Sequence, residues 1–221
     1  MCYLGQPHIF LSLTLLGSTS VNAVTYSFEQ LLGNANANVG LSGSDQLKVN
    51  IVEVSGNVNF RFTNAIGTPS SITGIYFDDV DNANLFASIS NDVLAGAGEN
   101  GDVSFSDGAT PPNLPQGNTI GFFADFSGDA DNPSITNGVN ATNEFVNFLG
   151  DLQNSSFAAV IAAINSGDFR IGLSVQSIRG RGADRYELAI NDAPSQVPLP
   201  AAAWLFGSAL LGFAGFKRKS I

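Results

Sequence analysis

Apolar and polar positions alternate with a period of two in several stretches of this chain, the mark of strands buried on one face. The clearest is Leu47-Lys48-Val49-Asn50-Ile51-Val52-Glu53-Val54, followed after Ser55-Gly56-Asn57 by a second alternating run over 58–63. Two such runs separated by a glycine-containing turn predict a β-hairpin. Strict alternation returns over 170–178, and further strands are predicted at 26–28, 72–77, 85–89, 119–126 and 186–190. The run 145–149 is too short for periodicity to decide between strand and helix. Polar, glycine- and asparagine-rich segments at 33–44, 78–84, 96–115 and 128–142 read as loops. One segment has helical spacing: Phe157 to Ile164, with Ser156 placed to cap it and Gly167 to close it. About eight to ten short strands and one short helix predict a mainly β chain. The expected architecture is a single β-sandwich or jelly-roll-like domain over 24–194.

The two ends break this pattern. Residues 9–16 are apolar, 17–20 small and polar, and Val21-Asn22-Ala23 resembles a small-residue cleavage site. This is the order of an export signal over 1–23, with cleavage between Ala23 and Val24. Its opening segment, 1–8, carries no Lys or Arg. At the other end, over 195–221, Val197, Pro198, Leu199 and Pro200 precede 16 uncharged residues, Ala201 to Phe216, which include Trp204, Phe206 and Leu211. Lys217, Arg218 and Lys219 follow. The prolines separate the tail from what precedes it, since neither can continue a helix. Sixteen helical residues would reach roughly 24 Å, slightly short of a typical bilayer core of roughly 30 Å. Trp204 suits the interface, and the cationic trio suits a cytoplasmic stop. A buried core helix is the weaker reading, because a core helix usually keeps a polar face. The segment is therefore expected to be a transmembrane helix.

The order and wording of this tail, Val197-Pro198-Leu199-Pro200-Ala201-Ala202-Ala203-Trp204-Leu205-Phe206-Gly207-Ser208 through Lys217-Arg218-Lys219, resemble the PEP-CTERM sorting domain of Gram-negative bacteria. The resemblance covers about a tenth of the chain. It departs from the name-giving motif at Leu199, where the family has Glu. It implies that an exosortase, a membrane cysteine protease, recognises the tail and cleaves near the prolines. The body is loosely similar to uncharacterised exported proteins with the same tail, through Thr73-Gly74-Ile75-Tyr76-Phe77-Asp78-Asp79 and the stretch from Phe169 to Ile178. That similarity implies a location and no activity.

Composition narrows the chemistry. All 19 acidic residues fall between Val24 and Pro200, with only six of the nine basic ones, so the body is more acidic than the chain's formal −10. Nucleic acid is a poor partner for such a surface. The one cysteine, Cys2, and the one histidine, His8, both lie in the expected signal. The mature body then has no thiol chemistry, no Ser/His/Asp triad and no histidine-ligated metal. Two acidic turns offer hard oxygen donors for calcium: Asp79 and Asp81 in one, Asp129 and Asp131 in the other. Neither follows the EF-hand spacing, and solvated loop acids are the simpler reading. Calcium is the one cofactor these donors would suit; no other is expected. Arg179, Arg181 and Arg185 carry half of the body's basic charge and suit bidentate pairing with an anionic polysaccharide. A hairpin tip paired with the acidic body is the plainer account. Phe122, Phe123 and Phe126 read as core rather than as a sugar-stacking platform.

These features give an expectation of an exported, non-enzymatic protein. It would be tethered in the inner membrane through its tail, processed by an exosortase, and then placed at the cell surface or outside the cell. Its role there would be structural or adhesive, as in a biofilm matrix. Two other classes stay open. A carbohydrate-binding module, with or without calcium, would show aromatic residues or a calcium-bridged loop on one sheet face. An extracellular hydrolase would show two carboxylates facing each other in a cleft.

Overall fold

The computed structural model describes residues 22–32, 46–65, 67–80, 84–91, 102–180, 183–188 and 195–196. The expected signal up to Val21, the loop at 33–44, Asp81, Arg181 and the tail from Val197 lie outside them.

The chain is mainly β, built as two antiparallel sheets that share their first strand. In chain order the strands are β1 (Ala23–Leu32), β2 (Leu47–Val54), β3 (Asn57–Asn64), β4 (Ser71–Asp79), β5 (Phe86–Asn91) and β6 (Phe105–Asp107). After these come β7 (Phe126–Ala130), β8 (Phe145–Leu152), β9 (Phe169–Gln176), β10 (Ala183–Leu188) and β11 (Ser195–Gln196). The first half of β1 pairs with β2 and the second half with β10. One sheet therefore runs β1-β2-β3-β8-β5 and the other β1-β10-β9-β4-β7-β6. The short β11 adds to β1, with Val24 opposite Gln196 and Thr25 opposite Ser195.

The alternating stretches become the strands that their period predicts. Leu47, Val49 and Ile51 of β2 and Val58, Phe60 and Phe62 of β3 point inward and are buried. Their connection is a two-residue turn in which Ser55 and Gly56 both have positive φ, 52° and 84°. That backbone matches the twist of the flanking strands. The core between the sheets is dominated by phenylalanine. Phe60 of β3 lies 5.3 Å from Phe77 of β4 and 6.2 Å from Phe169 of β9, between ring centroids. Phe148 of β8 lies 5.7 Å from Phe77. These tilted contacts bind one sheet to the other, as expected of a β-sandwich.

The segment 145–149 proves to be strand, part of β8. The helix forms where expected, as Phe157–Ser166, and joins β8 of one sheet to β9 of the other. The Ser156 side chain accepts from the Ala159 N–H at 3.2 Å, and Gly167 closes the helix at φ 84°. Phe157, Val160 and Ile164 bury its inner face. Among the described residues it is preceded by another α-helix, the single turn Ser134–Asn137. We call these α2 and α1 respectively.

Three loop and strand boundaries need correction. The strand expected at 119–126 is a 3-10 turn, Gly117–Ile120, followed by irregular chain, and the strand itself is Phe126–Ala130. The backbone between them is engaged elsewhere. Asn113 donates to the Phe122 carbonyl and accepts from the Ala124 N–H, at 2.8 and 2.9 Å. The Phe123 N–H donates to Asp78 at 3.1 Å. Groups satisfied by side chains have no ladder to join. The loop expected at 128–142 holds the rest of β7, α1 and a bridge between Val139 and Ile72. The loop expected at 96–115 includes the short β6.

Candidate functional site

β4 is buried along its whole length, which requires cover on both faces. Ile72, Ile75 and Phe77 face the core. The other face carries Tyr76, and over it lie Ala109, Leu114 and Phe122 from the excursion between β6 and β7. Gly172 of β9 leaves room for this layer: a Cβ there would stand 3.0 Å from Leu114 Cδ2 and 3.2 Å from Phe122 Cζ.

Outward-facing polar residues of the sheet hold the excursion down by its backbone. Ser127 accepts from the Ala109 N–H at 2.9 Å, and Asp129 from the Thr110 N–H at 2.7 Å. Asp78 accepts from Phe123 and from Arg170, which also donates to the carbonyls of Ile120 and Gly121. The Asp78 side chain is 5% exposed and that of Arg170 17%. The guanidinium also lies over the Phe122 ring, 5.2 Å from its centroid. Two opposite charges on neighbouring strands thus fasten the loop whose apolar residues cover Tyr76.

Beside this anchor the excursion leaves a cleft of about 400 Å³. Its floor is the outer face of β4 and β9, with Thr73, Tyr76, Ser174 and Gln176. Thr73, Tyr76 and Ser174 are buried, and the Thr73 hydroxyl donates to the Ser174 carbonyl at 3.3 Å. Thr110, Pro111 and Pro115 form one wall; Asp129, Asn132 and Ser134 form the other. Desolvation pushes the Asp129 carboxyl above its usual value, against the opposing effect of the Thr110 N–H. Nothing in the sequence singled out this cleft, because its lining comes from four separated segments.

Of the residues marked from sequence for calcium in two separate turns, Asp79, Asp129 and Asp131 each accept hydrogen bonds within the fold. Asp79 accepts from the Leu85 N–H at 3.0 Å, closing the turn after β4. Asp129 serves the cleft wall. Asp131 accepts from the hydroxyls of Ser104 and Ser106, at 2.6 and 2.8 Å, and these bonds hold its carboxyl below the usual value. Asp81 lies outside the described residues. Among the described residues no group of three or more His, Cys, Asp or Glu is placed to hold a metal.

Of the arginines marked for an anionic partner, Arg179 and Arg185 lie on separate elements. Arg179 is exposed after β9, with positive φ and its N–H bound to the Pro69 carbonyl at 2.8 Å. Arg185 lies within β10, opposite Ser174 in the register, and Arg181 lies outside the described residues. Of the three phenylalanines read as core, Phe122 is fully buried and Phe126 packs against the core, whereas Phe123 is 61% exposed. Its neighbours' backbone bonds to Asn113 turn it outward.

Ala23 and Val24, the expected cleavage pair, both lie in β1, opposite Val52 and Ile51. No helix among the described residues is long and apolar enough to cross a membrane, and the segment 201–216 lies outside them. No family model, no curated protein and no solved structure matches the chain.

Proposed function

We propose that this chain is an exported protein, sorted through its C-terminal tail by an exosortase and left at the cell surface or outside the cell as a structural or adhesive component. The observation that carries this reading is the tail's three-part order: prolines 198 and 200, sixteen uncharged residues, then Lys217-Arg218-Lys219. The geometry of the body is compatible with it. β11 ends at Gln196, one residue before Val197, and pairs with Val24 and Thr25 of β1. Removal of 1–23 would leave Val24 still paired with Ile51 and Gln196. Removal of the chain beyond the prolines would leave every described strand in place. Both cuts would thus fall at one edge of a sandwich that keeps its core.

The test is intact-mass spectrometry of the protein from its native host, fractionated by compartment. The expected species begins at Val24, ends near Pro198 or Pro200, and is found outside the cytoplasm. An intact 221-residue chain in the soluble cytoplasmic fraction would overturn the proposal.

A second reading, a carbohydrate-binding module, is favoured by the cleft on the outer face of β4 and β9. Its lining is polar, and its volume of about 400 Å³ lies in the range of about 300–1,000 Å³ usual for small-ligand clefts.

A further inference from the structure

We infer that the cleft between the 108–124 excursion and the β7–α1 connection binds a neutral saccharide unit, with Thr73, Ser174 and Gln176 as its floor and Asp129 as its acceptor. This rests on the carbohydrate-binding reading but not on export or sorting, so a purified chain tests it without reference to either.

The lining chooses among ligand classes. Among the described residues it combines hydroxyls (Thr73, Thr110, Ser134, Ser174), side-chain amides (Asn132, Gln176) and one carboxylate. Hydroxyls and amides donate and accept, which is what a ring of sugar hydroxyls needs. An anionic ligand would meet Asp129, the one carboxylate among the described lining residues. A nucleobase or apolar ligand would want a broad stacking surface, and the one aromatic residue here, Tyr76, is 1% exposed. Pro111 and Pro115 supply small apolar patches of the size of a sugar's C–H face. The depth gradient also fits a site. Thr73 and Ser174 are buried at the floor, Gln176 is half-buried, and Asn132 and Pro111 are exposed at the rim.

The cleft is pre-formed. The hydrogen bond from the Thr110 N–H to Asp129 fixes the wall that faces the floor. Gly74 keeps the space beside it open: a Cβ there would stand 3.0 Å from Asp129 Oδ1 and 3.0 Å from the Tyr76 hydroxyl. A monosaccharide has few atoms to contribute, so a dissociation constant of about 1 mM is the expected order.

The experiment uses the full 221-residue chain in a sugar-free zwitterionic detergent, with saturation-transfer NMR and calorimetry. The probes are glucose, galactose and N-acetylglucosamine as neutral sugars, glucuronate as an anion and glucosamine as a cation. Saturable binding of at least one neutral sugar is expected, weakened about fivefold or more by Gln176→Ala and by Ser174→Ala. Asn57→Ala, on the other sheet, is expected to leave it unchanged, and thermal melts confirm that each variant folds. The proposal is overturned if no neutral sugar binds, if only glucuronate or only glucosamine binds, or if binding survives both cleft substitutions unchanged.

Discussion

Asp129 and Asp131 stand two residues apart, yet their surroundings push their carboxyls in opposite directions. Asp129 is desolvated by the excursion and its carboxyl is raised; Asp131 receives two serine hydroxyls and is lowered. The consequences for stability have opposite signs. A raised carboxyl binds more protons folded than unfolded, so its stabilising contribution is present at low pH and lost as pH rises through the raised value. A lowered carboxyl contributes above the ordinary value of about 3.9 and loses that contribution as pH falls through the lowered one. Asp129→Asn is therefore expected to gain stability relative to the wild type as pH rises from about 3 to 7. The gain should stay below about 1 kcal/mol because the group is only half-buried and solvent screens it. Ser104→Ala with Ser106→Ala should instead flatten part of the acid-side loss. Urea titrations across that range measure both; pH-independent differences from the wild type would refute the assignments. Gly128 makes a steric counterpart. A Cβ there would stand 2.5 Å from Phe148 Cζ, and Phe148 is hemmed in by Phe62, Phe77 and Phe105. Gly128→Ala is expected to cost about 1–3 kcal/mol, read by the same titration.

At the scale of elements, the sequence declares those whose partners are near and hides those fixed from afar. The β2–β3 hairpin and α2 were legible because their signals are local: a two-residue period, a turn glycine, a capping serine, a closing glycine. The segment 117–130 was not. Its Phe122-Phe123-Ala124 run has strand composition, but Asn113 and Asp78 take its backbone groups. Asp78 is 45 residues away from Phe123. The cleft was hidden for the same reason, and so was the use of Asp78, Ser127 and Asp129 as anchors, since an acid in a polar turn looks solvated in the sequence alone. These anchors make a test. Asp78→Ala removes the acceptor for the Phe123 N–H and leaves Arg170 without its carboxylate in a largely buried setting. Removing one partner of a buried pair costs about 3–5 kcal/mol, and the partial exposure of Arg170 puts the expectation at the lower end. Hydrogen exchange should rise across 109–124 and change little in β2 and β3. A uniform increase over both sheets would show that Asp78 supports the whole sandwich rather than this layer.

For the molecule as a whole, the problem that the fold has to manage is its edges. Two stacked sheets have two open sides, and an exposed strand edge invites pairing with another chain. One side is closed by β1, which crosses from sheet to sheet. The opposite side brings together β5 of one sheet and β6 of the other, and there Asn91 acts as the fastener. Its backbone N–H donates to Asp107 and its side-chain amide to the Phe105 carbonyl, both at 2.6 Å. These bonds join the edges by side chain and not by ladder, so the sandwich is clasped there without becoming a barrel. Asn91→Ala removes the amide contribution while retaining the backbone one. A partly buried hydrogen bond of this kind is worth about 1 kcal/mol, so the loss of global stability should be small. The kinetic consequence should be larger: faster hydrogen exchange in β5 and β6, and concentration-dependent association on standing. Asn57→Ala supplies the control, because it removes a rim hydrogen bond to Asp151 at a site that fastens no edge. For a protein proposed to work in a crowded matrix outside the cell, the distinction matters. If the Asn91 variant stays monomeric by light scattering at the concentration where edge pairing would appear, the clasp is a minor contact and the edge is guarded by something else.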